Sequence, residues 1–91
     1  MLARCMAFEL GPMGIRVNVV APGIVNAGMA KRQLQVDPEF ARLAKRSIPL
    51  GELQSAVQIA KAAAFLCSDA ADAVTGAVLL VDGGASLFKY E

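Results

Sequence analysis

There is no histidine and no tryptophan among the 91 residues, and there is a single tyrosine, Tyr90. Without histidine, most metal sites and every His-based nucleophilic triad are excluded. Only Glu91 follows Tyr90, so no lysine stands one helical turn beyond it in this sequence. The two cysteines, Cys5 and Cys67, have no C-x-x-C spacing and read as buried, reduced thiols of a cytosolic protein. The eight glycines never take the G-x-G-x-x-G spacing after a strand, so these residues hold no dinucleotide phosphate loop of that kind. Charge is sparse and mixed, with a net value of +1 and no block of one sign. Nothing in it steers the chain toward nucleic acid or anionic lipid. No apolar stretch approaches the roughly 20 residues of a membrane span. The start, MLARCMAFEL, has Arg4 and Glu9 where a secretory leader would be laid out differently. There is no internal repeat and no low-complexity tract.

What the chain does have is apolar residues, 56% of the total. A domain this short buries only about two-thirds of its unfolded surface. The composition therefore predicts a piece of something larger, or a subunit with a large interface.

Residues 1–10 read as a helix stopped by Leu10-Gly11-Pro12, with Gly11 in the left-handed position. Met1, Leu2, Cys5, Met6, Phe8 and Leu10 cover most of its circumference, the pattern of a helix buried on more than one side. GIRVNVVAPGIV, residues 14–25, holds a strand over 15–21 that ends at Pro22, because proline has no N–H for the ladder. The run is almost continuously apolar, as in a parallel strand buried on both faces. Residues 24–54 read as irregular with short helices. Asp37-Pro38 is a helix start, and Phe40, Leu43 and Ala44 share the apolar face of that helix. Pro49-Leu50-Gly51 is a turn. Ser55 and Gln58 fit a capping box that opens a helix over 56–67, with Ile59, Ala62, Ala63 and Leu66 as its stripe. A second buried strand spans 77–82 and closes at Asp82-Gly83-Gly84. Strand, crossover with a helix, strand is one right-handed βαβ unit. Two strands buried on both faces need neighbours, and this sequence contains no others.

Few residues carry possible chemistry. Pro22-Gly23 lies at the carboxyl end of a parallel strand, where open α/β sheets bind ligands, although by itself it reads more simply as a plain strand-to-loop turn. Asn18 sits inside the strand, and a buried amide needs hydrogen-bond partners, most simply neighbouring backbone. Asp82-Gly83-Gly84 reads as a turn at a sheet edge more readily than as a cation or phosphate site. Lys31, Arg32, Lys45 and Arg46 read as a solvated face before a phosphate contact, and Met13 and Met29 as packing residues.

Four segments occur together in order: ELGPMGIRVNVVAPGIV, IPLGE, AAAFLCSDAADAVTG and LLVDGG. With these the chain resembles the C-terminal portion of a short-chain dehydrogenase/reductase, near the group of 3-oxoacyl-carrier-protein reductases and sugar or polyol dehydrogenases. The resemblance runs from the first helix to the Gly-Gly turn. It implies an α/β fold: residues 1–91 as the C-terminal segment of one doubly wound Rossmann-type domain, in the order helix, strand, lid helices, helix, strand, incomplete on its own. Residues 27–54 correspond to an insertion whose part 27–46 is the variable substrate lid.

By position, Pro22, Gly23 and Ile24 match the loop beside the nicotinamide, and Val25 the residue whose backbone holds the carboxamide. The resemblance implies NAD or NADP, a small carbonyl or alcohol substrate, and a cytoplasmic homo-oligomer joined through helix 1–10 and strand 77–82 with its tail. It implies no metal, nucleic acid or membrane partner. The family's Gly-rich loop, cofactor selector, catalytic Ser and Tyr-x-x-x-Lys pair have no match in this sequence, so no catalytic residue is assigned and the isolated chain is expected to be inactive. Ala27 stands where the family usually has a Thr that bonds the cofactor. The alternative expectation is a non-catalytic interaction module, or remnant, that associates with full-length relatives.

Overall fold

The helix ends and turns are set by short-range chemistry. The structure is a computed structural model that describes residues 1–87, and Tyr90 with the end of the tail lies outside them. Helix α1 spans Leu2–Leu10. Gly11 does not end it in the left-handed conformation, as expected from the sequence. Gly11 stays right-handed and opens a 3-10 turn, Gly11–Met13, with Pro12 in its first turn. Gly14, at φ +78°, takes the left-handed position instead. A proline is accommodated at a helix start, so the turn carries on one step further than Leu10-Gly11 alone implies.

Strand β1 is Val19–Pro22 and strand β2 is Val78–Val81, both shorter than the runs 15–21 and 77–82. They pair in parallel, Val19 with Val78 through Pro22 with Val81. Pro22 closes the ladder as its last member, where its missing N–H costs least. Ahead of β1, side chains take over the pairing. Thr75 Oγ1 accepts from the Val17 N–H at 3.1 Å. The Asn18 amide donates to the Val74 carbonyl at 2.9 Å and accepts from the Ala77 N–H at 3.0 Å. Asn18 is thus the structural residue expected of it, with both ends of its amide satisfied. Arg16 reaches the Leu66 carbonyl at 2.7 Å, at the carboxyl end of a helix, where a cation is favoured.

Between the strands lie two nine-residue helices, α2 (Gly28–Val36) and α3 (Pro38–Arg46), and then α4 (Ala56–Cys67). The 24–54 stretch is therefore more regular than its sequence implies. Asp37 caps α3 by accepting from the Phe40 N–H at 3.1 Å. The Ser55–Gln58 capping box on α4 is complete in both directions, at 2.9 and 3.1 Å. Leu66 is the buried end of the α4 stripe, and α4 packs on both strands.

Little of the apolar surface is covered. Among the described residues the buried apolar set is Ala7, Ala44, Ile48, Leu66 and Ala71. The circumference of α1 is not enclosed: Leu2 is 75% and Phe8 85% exposed. Val78 and Leu80 stand exposed on one face of the sheet. Cys5 and Cys67 are exposed too, contrary to the expectation of buried thiols, because nothing packs over their faces of α1 and α4. The radius of gyration is 15.8 Å, against about 12 Å for a compact chain of this length. Among the described residues no helix is long and apolar enough to cross a membrane.

Candidate functional site

The carboxyl ends of β1 and β2 lie side by side, as parallel pairing requires, and the residues leaving them form the candidate site. From β1 come Pro22, Gly23, Ile24 and Val25, and from β2 come Asp82, Gly83 and Gly84. The Gly23 N–H donates to the Val81 carbonyl at 3.3 Å, carrying the pairing one residue past the strand. The chain then pairs briefly with a remote segment through a parallel bridge between Val25 and Gln54. The Asn26 N–H donates to the Gln54 carbonyl at 2.8 Å. In a parallel bridge one residue bonds through its own peptide groups, here Gln54 through its carbonyl, and the other, here Val25, turns its own N–H and C=O away from the partner. The Val25 N–H has no partner among the described residues, and the Val25 carbonyl accepts only from the Ala27 N–H at 2.8 Å. Val25 thus presents one free donor and an acceptor with a spare lone pair, a set that suits a planar primary amide.

Two glycines let the strand ends close up. A Cβ on Gly23 would lie 2.8 Å from the Asp82 Cβ and 3.0 Å from Gln54 Oε1. Gly83, at φ +64°, would place a Cβ 2.6 Å from Ile48 and 2.8 Å from Gln54 Nε2. The segment Ile48–Gln54 straps these ends from behind, with the Leu50 N–H on the Gly83 carbonyl at 3.1 Å. Asp82 is buried and bonds its own turn: Oδ1 accepts from the Gly84 N–H at 2.9 Å and Oδ2 from the Ser86 N–H at 3.1 Å. The Gly84 N–H, helped by Ser86 and opposed by burial, holds the Asp82 carboxyl below the ordinary carboxylate range. Asp82 is therefore occupied in building the turn, as the plainer sequence reading has it.

Gln54 is the site residue that sequence reasoning missed. It is 6% exposed, its Nε2 donates to the Glu52 carbonyl at 3.3 Å, and its Oε1 is buried with no partner. A buried acceptor left unpaired costs about 1–3 kcal/mol. A residue standing just before a capping box gives no sequence signal for this. A cavity of about 270 Å³, lined by Leu50, Leu53, Gln54, Val81 and Gly83 among others, adjoins it.

Ala27 is the N-cap of α2, in extended conformation and with no side-chain hydrogen bond to the helix. Among residues 27–54, Arg42 pairs with Glu39 at 2.6 Å and Lys45 with Glu52 at 3.7 Å, both pairs solvent-exposed, and Lys31, Arg32 and Arg46 are exposed. Met13 and Met29 are exposed, not packed. No group of three or more His, Cys, Asp or Glu able to hold a metal occurs among the described residues.

A family model described as enoyl-(acyl carrier protein) reductase matches residues 1–86. The 3beta-hydroxysteroid dehydrogenase 1 of Eggerthella lenta is 42% identical over 88 residues, which cover 97% of this chain and 33% of that protein. A crystal structure of an oxidoreductase of the short chain dehydrogenase/reductase family from Burkholderia thailandensis is 42% identical, with a TM-score of 0.82, over 92% of this chain and 32% of that one. A candidate 2-deoxy-d-gluconate 3-dehydrogenase from Agrobacterium tumefaciens, solved with bound NADP, is 38% identical with a TM-score of 0.85, over 94% of this chain and 35% of that one. The chain spans about a third of the length of these relatives.

Proposed function

Because the chain belongs to the short-chain dehydrogenase/reductase family, we propose that it forms the cofactor-loop and substrate-lid portion of an NAD(P)-dependent oxidoreductase. Such an enzyme moves a hydride between a nicotinamide and a small carbonyl or alcohol substrate, with the nicotinamide as hydride carrier. Pro22, Gly23 and Ile24 line the nicotinamide side of the site. Val25 holds the carboxamide, its N–H donating to the amide oxygen and its carbonyl accepting from the amide nitrogen. The observation that carries this reading is the unpartnered Val25 N–H, beside a carbonyl with a spare lone pair, just past the carboxyl end of a parallel strand, where such folds bind ligands. Residues 27–46 form the lid over the substrate. The acid/base and phosphate-binding groups are supplied by polypeptide other than these residues, and the assembly works in the cytoplasm as a homo-oligomer built on α1 and β2.

On this division of labour the isolated 91-residue chain does not turn over. An assay with NADH and NADPH against carbonyl substrates, followed at the nicotinamide absorbance, is expected to show no rate above buffer. Clear turnover overturns the proposal. A second reading, a non-catalytic module that associates with full-length relatives, is favoured by the exposed faces of α1 and β2. Co-purification with a full-length reductase that gains no activity from the chain would select it.

A further inference from the structure

We infer that Gln54 is a positioning residue for the Pro22–Val25 loop, its side chain acting as a wedge packed against both strand ends. The inference rests on the cofactor reading of that loop and adds to it a residue from beyond the lid, at the end of the 27–54 stretch. The backbone of Gln54 already ties down the loop through the Asn26 N–H at 2.8 Å. The side chain does something different. Its amide packs against two glycines: a Cβ on Gly23 would lie 3.0 Å from Oε1 and one on Gly83 2.8 Å from Nε2. It is almost wholly enclosed, with one side-chain hydrogen bond, at 3.3 Å to the Glu52 carbonyl. Gly23 lies within the loop and Gly83 in the turn after β2, so this one side chain braces both, beside the direct bond from the Gly23 N–H to the Val81 carbonyl.

The inference is tested by amide hydrogen exchange on the purified chain and two variants. Gln54→Ala keeps the backbone bond to Asn26 and removes the wedge, and Gln54→Met restores its volume without polar atoms. Exchange over residues 22–27 is expected to quicken about tenfold in Gln54→Ala and to return to within about twofold of the parent in Gln54→Met. Helix α4, residues 56–67, serves as the control and is expected to hold constant in both. Three outcomes overturn the wedge: an unchanged loop in Gln54→Ala, an equal quickening in α4, or a Met variant that behaves like the Ala variant. The measurement uses no cofactor, so its failure leaves the nicotinamide reading standing. Conversely, a chain that supports no nicotinamide binding when joined to a relative's catalytic half sinks that reading and leaves the wedge intact.

Discussion

At the residue scale, Asp82 shows how a carboxylate can be spent on building a turn. Its two oxygens take the Gly84 and Ser86 N–H groups, and the charged form is the one these bonds favour. A carboxyl whose folded pKa is depressed binds its proton more readily in the unfolded chain. Its contribution is present above the ordinary aspartate range, near pH 4, and is lost as pH falls through the folded value. Urea unfolding of the parent and of Asp82→Asn over about pH 3 to 6 is therefore expected to show a steeper acid loss in the parent. Identical slopes would remove Asp82 from the account. Asn18 was legible in the sequence, because a lone amide in an apolar strand must find partners and the nearest are backbone. Gln54 was not legible, because it is enclosed only after two segments remote in sequence close around it.

At the scale of elements, what could be read from sequence is what local chemistry decides. Asp37-Pro38 and the Ser55–Gln58 pair start their helices as expected, since the cap and the first turn are neighbours in the chain. The parallel strands were found from their apolar runs but overextended. Ile15 and Val17 continue the apolar alternation, yet beside one backbone bond, from the Gly76 N–H to the Val17 carbonyl, Thr75 and Asn18 side chains take the ladder's place there. Helix α2 was hidden because its N-cap is Ala27, which supplies no acceptor for the first free N–H groups. Ala27→Ser is expected to stabilise α2 by about 0.5–2 kcal/mol. Slower amide exchange in the first turn of α2, with α3 unchanged, would check it; no slowing would mean that α2 is held by its packing on α3 instead.

At the scale of the molecule, the accessible surface is 6602 Å², against about 5,000 Å² for a compact chain of this mass. Large apolar side chains stand in that surface, among them Phe8 on α1 and Val78 and Leu80 on β2. Covering the α1 face by association would also cover Cys5, which lies beside Phe8. Thiol labelling with a chromogenic disulfide is expected to be rapid at both cysteines in dilute chain. Labelling of Cys5 is expected to slow by at least tenfold when the chain is concentrated or mixed with a full-length relative. Equal rates in both conditions would separate Cys5 from any interface. The parallel bridge between Val25 and Gln54 has a different consequence. It brings the two ends of everything from Asn26 to Leu53 together at a single point, outside the register of β1 with β2. The part of that stretch ahead of the Ile48–Gln54 strap is the exchangeable cassette: evolution, or an engineer grafting a new recognition segment, can alter its length and composition while the strap and the strand ends keep their places.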